Sequence, residues 1–136
     1  MVNKKNNFNF LGNTNPKFNH LGLAVVRISD TKIPELQITE DPIQKVKIAF
    51  IDMFGCPIEL IEQTTENSPV SNSIKRGRKL LHICFEVDNI EEAIRVASRQ
   101  GFKIISKPVS AKAFCNRHVI WLYHDVWGLF ELIERS

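Results

Sequence analysis

The feature that most limits how this chain can fold is that it writes one pattern twice. An apolar residue followed by Glu-Leu-Ile-Glu occurs at Ile58-Glu59-Leu60-Ile61-Glu62 and again at Phe130-Glu131-Leu132-Ile133-Glu134. A matching His segment precedes each. His20-Leu21-Gly22-Leu23-Ala24-Val25 and His82-Ile83-Cys84-Phe85-Glu86-Val87 share a His, then apolar, small, apolar, any residue, Val. The two His stand 62 positions apart and the two leading Glu 72. Two copies of one unit follow, each opening on a His strand and closing on a Glu strand. Strand alternation puts His20, Gly22 and Ala24 on one face of residues 18–26 and Leu21, Leu23 and Val25 on the other. A polar-to-small face backed by an apolar one suits a sheet that lines a cavity. Inward carboxylates on sheet strands are costly unless paired or ligating. His20, Glu59, His82 and Glu131 are therefore the candidate metal ligands, and two imidazoles with two carboxylates suit a divalent Zn, Ni, Co or Mn ion.

Composition excludes several other classes. A formal charge of +3, from 18 basic and 15 acidic residues, is too slight for a nucleic-acid partner. No apolar run approaches the roughly 18 residues of a membrane span, and the Asn- and Lys-rich start lacks the apolar core of a signal peptide. Cys56, Cys84 and Cys115 are odd in number and share no close spacing, which points to reduced thiols in a cytoplasm. The 136 residues make one domain.

In chain order, residues 1–16 read as a polar, disordered arm ahead of a single domain at 17–136, with units at about 17–63 and 80–136. After the first strand, residues 35–39 alternate like a short strand, 45–53 form a stronger one, and 58–63 the next. Residues 64–79 are a polar linker with a short helix at 71–75. The second unit is a strand at 80–87, then a helix capped by Asp88 with Glu91 closing a capping box and Gly101 as its stop. Strands at 102–106, 118–123 and 129–134 follow. His20 to Glu59 spans 39 positions and His82 to Glu131 spans 49. The difference is about three helical turns, so the first unit has its helix reduced or missing. The fold class is α+β: two β-α-β-β-β units forming a curled mixed sheet around a metal cavity. Without the helix, Leu21, Leu23 and Val25 need a cover, either Phe8, Phe10 and Leu11 of the arm or a second copy in a homodimer.

Other residues carry weaker signals. Glu62 and Glu134 point to the opposite face as surface charges, Glu86 suits a salt bridge, and Cys84 reads as a small core residue. Lys75, Arg76, Arg78 and Lys79 read as a solvated linker, with a phosphate grip as the alternative. Trp121, Tyr123 and Trp127 either wall the cavity or fill the core.

The strands H-L-G-L-A-V, I-E-L-I-E, L-H-I-C-F-E-V-D-N-I-E-E-A and F-E-L-I-E, with Ser68-Pro69-Val70 ahead of the third, resemble the vicinal oxygen chelate superfamily, methylmalonyl-CoA epimerases above all and glyoxalase I next. That resemblance implies His20, Glu59, His82 and Glu131 as the four metal ligands. Glu131 would be the proton carrier and Glu59 the second catalytic carboxylate. The substrate would be a small molecule of the coenzyme A thioester kind, epimerised or isomerised through a metal-stabilised enolate. Glu rather than Gln at position 59 fits a glyoxalase-type lyase, and a non-catalytic binding or resistance protein shares the fold. Lys47 lies near where some epimerases place a second acid, and a cation there offers electrostatic help instead. Three departures are visible: no aromatic-rich first helix, residues 111–117 in place of a Gly-rich loop, and a shortened turn holding Trp127.

Overall fold

A computed structural model describes residues 6–68, 70–106 and 109–135. Pro69 and residues 1–5 of the arm lie outside the described residues. The described residues form a nine-stranded mixed sheet with two short α-helices. The strands are β1 (Lys17–Ala24), β2 (Thr39–Asp41), β3 (Val46–Met53), β4 (Cys56–Gln63), β5 (Leu80–Val87), β6 (Lys103–Ile104), β7 (Val109–Ala111), β8 (Arg117–His124) and β9 (Gly128–Glu134). The helices are α1 (Ser71–Lys75) and α2 (Ile90–Arg99). The strand order is β2-β3-β4-β1-β5-β9-β8-β6, with β7 also pairing with β8, and the sheet curls without closing.

The repeat in the sequence becomes a repeat in register. In the first half β1 runs parallel to β4 with Gly22 opposite Glu59; in the second β5 runs parallel to β9 with Cys84 opposite Glu131. The halves join through the antiparallel pair β1–β5, where His20 faces Cys84 and Gly22 faces His82. Residues directly opposite one another share a sheet face. Each His therefore sits over the small residue two places beyond the other His, and both Glu point to the same face.

The covers of the outer face differ between the halves. In the second half α2 lays Ile90, Ala93 and Ala97 against Val87, Ile120, Leu122 and Leu132. Its N-cap is Asn89, whose side chain accepts the Glu92 N–H at 3.1 Å. The cap thus falls one residue after Asp88, which instead pairs with Arg135. In the first half the expected helix is reduced to a 3-10 turn, Ile28–Thr31, and Ile28 and Leu36 cover Leu21, Leu23 and Val25. Residues 35–38 are not a strand, and Glu35 takes a φ of 57°. Strand β2 starts only at Thr39, where backbone pairing with β3 becomes available. The linker is folded too, because Val70 and Ile74 pack on Val46, Ile48 and Ile61.

The arm corrects two expectations. Residues 6–16 are not a loose tail, and they do not cover the first half. Phe10 and Leu11, 8% and 2% exposed, join the core under α2, where Phe10 stacks on Phe102 at 4.6 Å. Two hydrogen bonds hold this turn, from the Asp88 backbone N–H to the Thr14 carbonyl at 2.9 Å and from the Arg135 side-chain Nη2 to the Asn15 carbonyl at 3.1 Å. The 3-10 turn covers β1, and the arm's apolar residues pack with the aromatic rings of the second half. Among the described residues no helix is long and apolar enough to cross a membrane. Leu11→Ala is expected to cost about 2–4 kcal/mol in urea unfolding. Phe8→Ala, at a half-exposed ring, should cost under about 1 kcal/mol. Equal effects would place the arm's burial elsewhere.

Candidate metal centre

Strands β1, β4, β5 and β9 deliver His20, Glu59, His82 and Glu131 to one point on the concave face. All four are 2% exposed or less, and one donor atom of each lies within 4.8 Å of the other three. His20 Nε2 is 3.2 Å from His82 Nε2, 3.3 Å from Glu59 Oε1 and 3.2 Å from Glu131 Oε1. His82 Nε2 is 3.5 and 3.3 Å from the same two oxygens. Donors that ligate one ion at about 2.0–2.2 Å sit roughly 3.0–3.5 Å from one another.

The protons support a cation at this point. Asn19 Oδ1 lies 2.7 Å from His20 Nδ1, and an amide oxygen can only accept, so Nδ1 carries the hydrogen. Neutral His20 then turns a lone pair on Nε2 toward the carboxylates. Glu131 Oε1 is buried with no hydrogen-bond partner, although both imidazoles are close. These atoms aim at a shared point rather than at each other, and a divalent ion satisfies them together.

Protons take over where an ion does not. Burial pushes His20 down, but the adjacent Glu131 and Glu59 carboxylates outweigh it and raise it to about 9. His82 is raised for the same reasons. Burial pushes Glu131 up, and the two imidazoles outweigh that and lower it to about 2. Burial, with Glu131 beside it, pushes the Cys84 thiol well up. Cys84 stays neutral and acts as a small core residue.

The surroundings repeat as the ligands do. Phe50, opposite Glu59, sets its edge against His20 at 5.6 Å; Trp121, opposite Glu131, meets His82 at 4.7 Å in the same T-shape. Trp121 is thus a wall of the site, whereas Tyr123 and Trp127 are 41% and 53% exposed. Phe50 and Asn19 escape the sequence reading. Phe50 lies 9 positions before Glu59 and Trp121 lies 10 before Glu131, so the repeats pair them only when a one-residue gap is allowed in the intervening turn. A cavity of about 310 Å³ opens beside the cluster, lined by Val46, Ile48, Ile61, Leu81, Trp121 and Leu129 among others. Lys47 does not face it. Lys47 lies between Glu40 and Glu62 on the opposite face, and the inward positions of β3 are Val46, Ile48 and Phe50. Glu86 lies past the cavity and pairs with Arg117 and Arg135 at 3.0 and 2.8 Å. Glu62 is more than a surface charge, since it accepts the Ile28 N–H at 2.7 Å and holds the 3-10 turn. Lys75, Arg76, Arg78 and Lys79 are exposed.

Two outcomes are expected. A Cβ on Gly22 would stand 2.1 Å from His82 Cε1, and Trp121 blocks the ring's retreat. Gly22→Ala should therefore weaken metal affinity by about 10–100-fold, read by competition with a chelating dye, and an unchanged affinity would contradict this packing. In chelator-treated protein, His20 stabilises fully below its ordinary 6.5 and ceases to as pH rises through about 9. Glu131 stabilises above its ordinary 4.5 and ceases to as pH falls toward about 2. The melting temperature of metal-free protein should peak between these limits, near pH 4.5–6.5, while metal affinity rises with pH as the imidazoles lose their protons.

Comparison with known proteins agrees with this architecture. A 30% identical crystal structure, of a hypothetical protein from Bacillus halodurans C-125, aligns over 90% of this chain and 96% of its own with a TM-score of 0.73. A Streptomyces coelicolor methylmalonyl-CoA epimerase variant, in complex with 2-nitronate-propionyl-CoA, shares the fold at 17% identity and a TM-score of 0.70, over 88% of this chain and 97% of its own. Human mitochondrial methylmalonyl-CoA epimerase is 24% identical over 131 residues, 88% of this chain and 74% of that protein. The profile of the glyoxalase/bleomycin resistance protein/dioxygenase superfamily matches residues 29–121, which include Glu59 and His82. With more than half its length matched, the chain belongs to that superfamily.

Proposed function

We propose that this protein is a metal-dependent epimerase or isomerase of an acyl thioester, of the methylmalonyl-CoA kind, that moves the proton α to a carbonyl. The observation that carries the reading is the buried convergence of His20, Glu59, His82 and Glu131 beside a largely apolar cavity. The likeness to methylmalonyl-CoA epimerases, one of them holding a coenzyme A thioester analogue, supports the substrate class. A bound Zn, Ni, Co or Mn ion would draw charge from two adjacent substrate oxygens and stabilise the enolate by several kcal/mol.

The chain's own residues supply the rest. His20, with its tautomer set by Asn19, and His82, wedged between Gly22 and Trp121, orient their Nε2 atoms. Val46, Ile48 and Ile61 keep water from the reacting carbon. Glu131 is the proton carrier, because its buried carboxylate sits at the centre and also lines the cavity. Glu59 is the carboxylate that can serve the other face, since the residues β3 turns there, Val46, Ile48 and Phe50, include no acid. That apolar face, together with Glu at position 59, favours a second reading, a lyase acting on a hemithioacetal.

Purified protein should carry about one divalent ion per chain, and Glu131→Ala should lose it by elemental analysis. Metal-loaded protein should exchange the α-proton of methylmalonyl-CoA in deuterated water, and exchange should vanish with chelator and in Glu131→Gln. Conversion of a glutathione hemithioacetal without thioester exchange would establish the lyase. Ligand binding without either reaction would make the protein a binding module.

A further inference from the structure

Besides Asn19 and the Gly22–Cys84 inequality, the two halves differ at the centre in a further contact. His20 carries a second aromatic neighbour, Phe114, stacked on its ring at 5.5 Å and 17° and meeting Phe50 at 65°. Phe114 is 7% exposed and lines the cavity. It comes from the second half, on the turn Lys112–Phe114, and reaches across to the ligand of the first.

The turn is pinned from both sides. Asp41, 1% exposed and belonging to the first half, accepts the Lys112 N–H through Oδ2 at 3.2 Å. The same carboxylate accepts the Ile43 and Gln44 N–H groups and the Gln44 side-chain amide, each at 3.0 Å. On the other flank Arg117 Nε donates to the Phe114 carbonyl at 3.2 Å. Cys115 and Asn116, at φ 56° and 60°, adopt backbone that non-glycine residues rarely take. Surrounding contacts must hold such a path. One buried carboxylate therefore seats two cavity-lining residues, Gln44 and Phe114, drawn from opposite halves of the chain.

We propose that Phe114 sets the size of the substrate group admitted on the His20 side of the centre, and that Asp41 is the positioning residue that keeps it there. The ring walls the cavity beside a ligand imidazole, so a group next to the chelating oxygens on that side must stop at its face. The size limit rests on the metal-binding reading, whereas the seating of Phe114 by Asp41 does not.

The test uses full-length protein in two arms. In the first, cobalt-loaded protein is titrated with acetohydroxamate and benzohydroxamate, two-oxygen chelators that differ in bulk, and the cobalt absorption bands report binding. Wild type should prefer the smaller probe by about tenfold or more. Phe114→Ala should erase most of that preference by binding benzohydroxamate better, Phe114→Tyr should retain it, and Asp41→Asn should shift it in the direction of Phe114→Ala. A preference unchanged in Phe114→Ala overturns the size limit. In the second arm, metal-free protein should show nuclear Overhauser contacts between the Phe114 and His20 rings, which Asp41→Asn should weaken while leaving the Trp121–His82 contacts intact. Unchanged Phe114–His20 contacts overturn the positioning role of Asp41, and equal loss at both pairs assigns Asp41 to general folding and overturns it too. Failure of wild type to take up cobalt defeats the metal reading and the size limit with it, and the second arm still decides the seating.

Discussion

Two carboxylates and two imidazoles, none more than 2% exposed, share one point inside this sheet. Removing charged groups from water is costly unless they are paired or ligating. Nearly every distinctive feature of the fold makes that burial possible. The parallel pairings β1–β4 and β5–β9 set each Glu beside the residue two places after a His. The antiparallel β1–β5 pair then brings the two half-sites face to face. Neither half holds more than one imidazole and one carboxylate, so the centre exists only when both halves are folded and joined.

Space at the junction is as constrained as charge. The His82 ring occupies the volume where a side chain on residue 22 would lie. Cys84, the equivalent of Gly22, retains its side chain and is fully buried. The halves are thus equivalent in backbone register and unequal in packing. The inequality continues outward, with α2 and the arm covering one half, a 3-10 turn held by Glu62 covering the other, and Phe114 crossing between them. A sheet of two like units thus encloses an asymmetric cavity while the four converging side chains keep their equivalent register.

The alternation of His20, Gly22 and Ala24 against Leu21, Leu23 and Val25 was legible because period-two patterning needs only local sequence. So was α2, whose apolar spacing is helical, although its cap moved from Asp88 to Asn89. The shift is small because either side chain can accept a first-turn N–H. The arm was misread, since Asn and Lys dominate its composition, while its few apolar residues find a partner only after α2 and β9 are in place. Lys47 was misassigned for a related reason. Its strand was correct, but which face looks inward is set by the register with β4.

The doubled unit, the two faces of β1 and the identity of the four residues that meet were all readable in the chain, because repetition and alternation are local properties. Only the tertiary structure decided that those four atoms come within 4.8 Å. It also decided that Asn19 sets a tautomer, that β3 turns Val46 and Ile48 rather than an acid toward the cavity, and that Asp41 reaches Phe114's turn. Asn19 neighbours His20 but acts through its side-chain rotamer, and the others join residues distant in sequence or depend on how one strand registers against another. Local pattern carries no information about such distances, because they follow from how the two halves pack.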